Sequence, residues 1–118
     1  MQLKIAFRGM KSSPGLEALV HHRATRLYAV YGRLQRCEVV IEAPHRRRRQ
    51  GGTCRVRISL SVPGGRLNVS HEPGPDEDTD VYLAVRDAFR AARRRLEEHV
   101  HHLLRREGHV AASMAPAL

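Results

Sequence analysis

Cys54-Arg55-Val56-Arg57-Ile58-Ser59-Leu60-Ser61-Val62 is the stretch from which the fold can be read. Its even positions are apolar and its odd positions are Arg, Arg, Ser and Ser. Successive side chains of a strand point to opposite faces, so this period of two sets one apolar row against a core and one cationic, polar row in water. The stretch predicts a strand in a sheet with one covered face and one open face. Downstream, Pro63-Gly64-Gly65 is turn chemistry, and Leu67, Val69 and His71 carry the alternation into another strand. Upstream, Glu38-Val39-Val40-Ile41-Glu42 reads as a strand that stops at Pro44. Residues 45–52, His-Arg-Arg-Arg-Arg-Gln-Gly-Gly, read as the loop between them, because adjacent cations repel and the glycines break pairing. If that loop closes a hairpin, paired residue numbers sum to about 96 and Cys37 faces a position near Ser59. Cys54 then lies about 16 Å away along the strand, out of disulfide range, and two free thiols are expected.

Further out, the pattern changes period. Leu3, Ile5 and Phe7 alternate with Lys4, Ala6 and Arg8 as on a short strand, which Gly9 ends. Ser13-Pro14 starts a helix: the Ser side chain accepts an orphan N–H, and Pro suits the first helical position. Leu16, Leu19, Val20, Ala24, Leu27 and Tyr31 follow at helical spacing, with Gly32 in or just past the last turn. Residues 73–79 form an acidic linker. Thr79 or Asp80 caps a second helix expected to run to about Arg106. On it Val81, Val85, Phe89, Ala92, Leu96, Val100 and Leu103 fall within about 60° of one line. The order is β-α-β-β-β-α, an α+β fold: a four-stranded mixed sheet with two helices packed on one face, the first strand joining in parallel through a right-handed crossover. Residues 1–106 read as a single domain and residues 107–118 as a loose C-terminal tail.

The charge points to a polyanion. Lys plus Arg is 21 against 12 acids, a net +9, and only Lys4 and Lys11 are lysines. Arg matches phosphate bidentately, although a preference for Arg codons would also produce such a ratio. Residues 1–71 carry +11, residues 72–80 carry −5 and residues 81–118 carry +3, so one acidic loop interrupts a basic body. No apolar run is long enough for a transmembrane helix, and Met1–Met10 lacks the apolar region of a secretory signal. Two cysteines cannot build a disulfide scaffold, and a cytoplasmic setting with reduced thiols is expected.

On the second helix Arg86, Arg90, Arg93 and Arg94 make one stripe about 100° wide, away from the apolar line. On the first, Arg26, Arg33 and His22 share an edge, and Arg23 flanks the apolar face, where its stem can pack while its head reaches out. Two helices side by side would join these edges into a patch or groove suited to phosphates. The plainer reading is two solvated faces. Arg46, Arg47, Arg48 and Arg49 are read either as a grip on a phosphate backbone or as a surface loop. Stacking capacity is low: there is no Trp, and Phe7 and Phe89 fall on core lines. Structured RNA recognised by shape and backbone therefore fits better than splayed bases. His99, His101, His102 and His109 lack metal-ligand spacing, and neither Cys-x-x-Cys nor His-Glu-x-x-His occurs. No nucleophile motif or phosphate loop is present, so no enzyme activity, cofactor or small-molecule substrate is expected.

Asp80-Val81-Tyr82-Leu83-Ala84-Val85, followed by a long basic helix, resembles the Asp-x-Tyr-Ala-Ala-Ile stretch of ribosome hibernation-promoting factors, also called ribosome-associated inhibitors or sigma-factor modulation proteins. Met1-Gln2-Leu3-Lys4-Ile5 with Gly9 is similar to that family's first strand. Arg23-x-x-Arg26-Leu27 resembles its first-helix Lys-x-x-Lys-Leu pattern, and Gly64-Gly65 matches before the fourth strand. The resemblance covers about residues 1–106 and implies an rRNA-binding domain of the short form. It implies a factor that binds the small ribosomal subunit near its decoding centre, contacts its rRNA, and silences translation in stress by filling the mRNA and tRNA channel. By position, Arg23 and Arg26 match the first-helix cations and Arg94 the second-helix one; Arg86, Arg90 and Arg93 come from the stripe. Two other readings stand beside it: a double-stranded-RNA-binding module, whose core order is α-β-β-β-α, and a protein-interaction module for an acidic partner. No membrane partner is implied, and the oligomeric state is left open.

Overall fold

Alternating strands and two capped helical stretches give the order β1 (Gln2–Arg8), α1 (Pro14–Val30), β2 (Arg36–Glu42), β3 (Arg55–Val62), β4 (Gly65–His71) and α2 (Val81–Met114). The structure, a computed structural model, describes residues 1–43, 54–73 and 80–114, with side chains as far as Arg106. The sheet order is β1-β2-β3-β4; β1 lies parallel to β2, and the other two pairs are antiparallel. The expected α+β architecture is thus the observed one.

Register sorts the side chains into two faces. Leu3–Cys37–Leu60–Leu67, Ile5–Val39–Ile58–Val69 and Phe7–Ile41–Val56–His71 form rows across the covered face. Gln2–Arg36–Ser61–Arg66, Lys4–Glu38–Ser59–Asn68 and Ala6–Val40–Arg57–Ser70 cross the open one. Cys37 pairs with Leu60 rather than Ser59, one residue from the expected register. The reason is parity. The apolar residues of β2 are odd-numbered and those of β3 even-numbered, so only an odd sum puts both sets on one face. Cys37 and Cys54 are both free and buried.

Helix ends follow local chemistry. The Ser13 hydroxyl accepts the Leu16 N–H at 3.3 Å, Pro14 opens α1, and the Tyr31 N–H closes it on the Leu27 carbonyl at 3.1 Å. Gly32 follows this cap without a positive φ, so it is not the left-handed terminator. Gly64 does have φ +87, after Pro63, in the turn that closes β3 on β4. The Asp80 carboxylate accepts the Tyr82 N–H at 3.3 Å and so caps α2; Thr79 lies outside the described residues. Residues 107–114, expected as loose tail, continue α2 in backbone conformation to Met114. A single Gly inside a helix costs only about 1 kcal/mol relative to Ala, and Ala111, Ala112 and Met114 sustain the turn. Residues 115–118 lie outside the described residues.

Both helices bury an apolar stripe on the covered face: Leu16, Val20, Ala24 and Leu27 from α1, and Ala84, Val85, Ala88, Phe89, Ala92 and Leu96 from α2. No polar or charged residue is buried among the described residues. The two helices touch at their N-terminal ends, where a Cβ on Gly15 would overlap the Tyr82 hydroxyl. Past Leu96 the α2 stripe thins: Val100 and Leu103 are half-buried and Leu104 is 62% exposed. There the His99 ring packs edge-on against Tyr31, with centroids 6.0 Å apart.

Candidate nucleic-acid interface

The α1–α2 seam is built from the spacing of its apolar residues. Leu27 and Phe89 are buried at the contact, and the residues one position or one turn away on each helix stand at its rim. The result is a depression of about 200 Å³ lined by Arg23, Arg26, Leu27, Phe89, Arg90 and Arg93. Four arginines from two helices therefore converge over an apolar floor. Arg86 and Arg94 are exposed on α2 but do not line the groove. Arg46, Arg47, Arg48 and Arg49 lie outside the described residues.

The four groove arginines are held differently. Arg90 Nη1 lies 3.5 Å from Asp87, whose other oxygen is 3.8 Å from His71 Nε2 on β4. Arg93 Nε donates to Glu97 Oε2 at 3.1 Å. Both pairs are on the surface, where such contacts contribute about 0.2–1 kcal/mol, so either guanidinium can be recruited by a stronger acceptor at small cost. Arg23 and Arg26 have no carboxylate within 4.0 Å among the described residues. Arg23 is half-buried, and its Nε is shut off from solvent without a protein acceptor. Leaving such a donor unmet costs about 1–3 kcal/mol, so Arg23 is held here by the packing of its stem and not by its own hydrogen bonds.

The chemistry available is anion binding by planar, permanently charged donors. Asp87 and Glu97 were not among the sequence-derived site residues, although their i,i+3 and i,i+4 spacings to Arg90 and Arg93 were the available signal. Among the described residues no group of three His, Cys, Asp or Glu side chains is placed to hold a metal ion. Likewise, none of the described helices is long and apolar enough to cross a membrane.

Comparison with known proteins gives one family and one fold. The family model described as sigma 54 modulation protein / S30EA ribosomal protein matches residues 3–103. Among solved structures, a ribosomal subunit interface protein from Coxiella burnetii superposes with a TM-score of 0.70 at 17% identity, over 86% of this chain and 99% of that one. The N-terminal domain of Protein Y from Thermus thermophilus superposes with a TM-score of 0.68 at 19% identity, over 84% and 99%. At these identities the likeness establishes the fold. Comparison with curated proteins finds no match.

Proposed function

The chain belongs to the sigma 54 modulation protein / S30EA ribosomal protein family, and from that premise we propose that it is a ribosome-binding hibernation factor that occupies the mRNA and tRNA channel of the small subunit through the α1–α2 groove. The observation that carries this reading is the convergence of Arg23, Arg26, Arg90 and Arg93 on one depression. Phosphate oxygens of rRNA replace Asp87 and Glu97 as partners of Arg90 and Arg93, and others meet the guanidinium ends of Arg23 and Arg26, which no described carboxylate holds. The exchange is favourable because each surface pair is weak, while each phosphate neutralised releases condensed counterions. Inhibition then needs no chemistry. A basic body bound in the channel excludes mRNA and tRNA by volume, and its site of action is the cytoplasm, where ribosomes work.

Two features support rRNA over the alternatives. Strand β1 pairs with β2 along its whole length, an element that the α-β-β-β-α core of a double-stranded-RNA module does not require. The groove walls are cationic and its apolar floor is small, which suits a phosphate backbone better than the apolar centre of a protein interface.

The test is co-sedimentation with small ribosomal subunits through a sucrose gradient, comparing the parent with a variant carrying R23Q, R26Q, R90Q and R93Q. We expect the parent to migrate with the subunit and to inhibit translation in a reconstituted system, and the variant to remain at the top while keeping its melting cooperativity. A folded variant that sediments and inhibits like the parent would overturn the groove as the binding surface.

A further inference from the structure

The sheet has a second surface, facing away from the helices. Six cations stand on it: Lys4, Arg8, Arg36, Arg55, Arg57 and Arg66. Carboxylates hold three of them, in the pairs Arg36–Glu38 at 3.4 Å, Arg57–Glu42 at 3.1 Å and Arg55–Glu72 at 3.2 Å. The face therefore keeps an excess of positive charge after its internal pairing. Across β2, β3 and β4 it is hollowed into a depression of about 520 Å³, with Arg57 and Arg66 on its walls and Val40, Ser59, Asn68 and Ser70 among its lining. Ser59 Oγ is closed off from solvent and has no hydrogen-bond partner in the protein. The register explains the hollow: small hydroxyl and amide side chains occupy adjacent positions of β3 and β4, between two long arginines four residues apart in register.

We propose that this hollow is a second RNA-backbone site, with Arg57 and Arg66 taking phosphate oxygens and the exposed Asn68 and Ser70 bonding the ribose hydroxyls and phosphate oxygens between them. Composition decides for RNA over a protein partner. Protein interfaces anchor on buried aromatic and large apolar side chains. Of the exposed large apolar residues, Tyr28, Tyr82, Leu83 and Leu104 are on the helices and Met1 is at the chain start. The open face offers only Ala6 and Val40, so it is polar and positive, as nucleic-acid surfaces are. Glu38 at the margin gives the hollow an acceptor as well, which suits a ribose 2′-hydroxyl and not a bare anion. With the groove on the opposite face, one domain holds two RNA segments at once. The ligand class rests on the proposed function; the site itself does not.

The experiment counts RNA. Native mass spectrometry and fluorescence titration with a short RNA hairpin are run on the parent, on R66Q, on R57Q/R66Q, and on the groove variant R23Q/R26Q/R90Q/R93Q. R66Q removes a cation that no described carboxylate holds, so it disturbs no internal pair. R105Q/R106Q, at the exposed far end of α2, removes equal charge as a control. We expect two hairpins on the parent and on R105Q/R106Q, and one on R57Q/R66Q and on the groove variant. R66Q should weaken the second hairpin only, and R57Q/R66Q should reduce the summed salt slope by about two, one for each lost phosphate contact. A parent that binds one hairpin, lost only in the groove variant, overturns the second site and leaves the proposed function standing. A parent that binds none overturns both. Equal losses in R105Q/R106Q and R57Q/R66Q overturn the site, because net charge then explains the effect. Displacement of the second hairpin by an acidic peptide that binds it more tightly assigns the face to a protein and overturns the proposal.

Discussion

At the residue scale, the environment of each side chain separates groups that the sequence lists as alike. The two cysteines are the plainest case. Cys37 sits opposite Leu60 on the covered face, and burial, with Glu38 next to it adding to the effect, pushes its thiol up to about 12. Burial also raises Cys54, with a backbone hydrogen bond acting against the shift. The thiolate is the reactive form, so at pH 8 this shift alone cuts the reactive fraction of Cys37 by about 10³ relative to a free thiol. Both cysteines should therefore resist a thiol reagent in the folded protein and react together once denaturant is added; rapid labelling of either at neutral pH would contradict the burial. The same shift sets a sign for stability. A folded pKa above the unfolded value stabilises fully below about pH 9, and that contribution is lost as pH rises toward 12. The arginines show what a residue list cannot give. The α2 stripe is legible, because 100° per residue fixes angular position, whereas Arg33, expected on the edge of the first helix, lies beyond the end of α1 at Val30; which four converge depends on how far each helix slides along the other. That is settled by packing of Leu27 and Phe89, not by either helix's own periodicity.

At the scale of elements, strands were more legible than helix ends. Parity fixes which face of each strand is apolar, and the β2–β3 register, one residue from the expected one, is set by the matching of the apolar rows and not by the loop between them. Helix starts carried side-chain caps, Ser13 and Asp80, that can be read directly. The far end of α2 has no such mark, since Gly108 is tolerated inside a helix, and the sequence placed the end too early. The contact between the two helix starts could not be read at all. It depends on the Tyr82 hydroxyl lying where a Gly15 side chain would be. Gly15→Ala must push aside the Tyr82 hydroxyl, the far end of an exposed side chain, so the gain of about 1 kcal/mol expected for Ala over Gly in a helix should be only partly realised. In Tyr82→Phe the hydroxyl is gone, and adding Gly15→Ala to it should realise more of that gain, giving a coupling of at least about 0.5 kcal/mol in a double-mutant cycle read by urea unfolding. Strict additivity would show that the two helix starts move apart freely.

At the scale of the whole molecule, the sheet works as a partition. Its covered face carries the helices and their arginine groove, and its open face carries a polar lattice whose carboxylates offset half of its cations. If about six phosphates are neutralised, the logarithm of the association constant with small subunits should fall with the logarithm of salt concentration with a slope of about −5. Replacing Arg90, Arg93 and Arg94 with Gln should make that slope shallower and leave the melting temperature close to the parent's, since exposed substitutions usually change stability by under about 0.5 kcal/mol. A slope near zero in the parent would mean that protein contacts, not phosphates, dominate. The 34-residue α2 has a further consequence. Its last buried side chain among the described residues is Leu96, so residues 97–106, about 15 Å of helix, have little support from the core. A helix that short is marginal in water without tertiary packing. In hydrogen–deuterium exchange, amides of the first half should open only with global unfolding, and those beyond His99 should exchange through local fraying. Docking through the α1–α2 groove raises the global unfolding free energy and would slow the first population, while the frayed amides, which lie outside the groove, would keep their rate, making this overhanging end an internal clock against which occupancy is read.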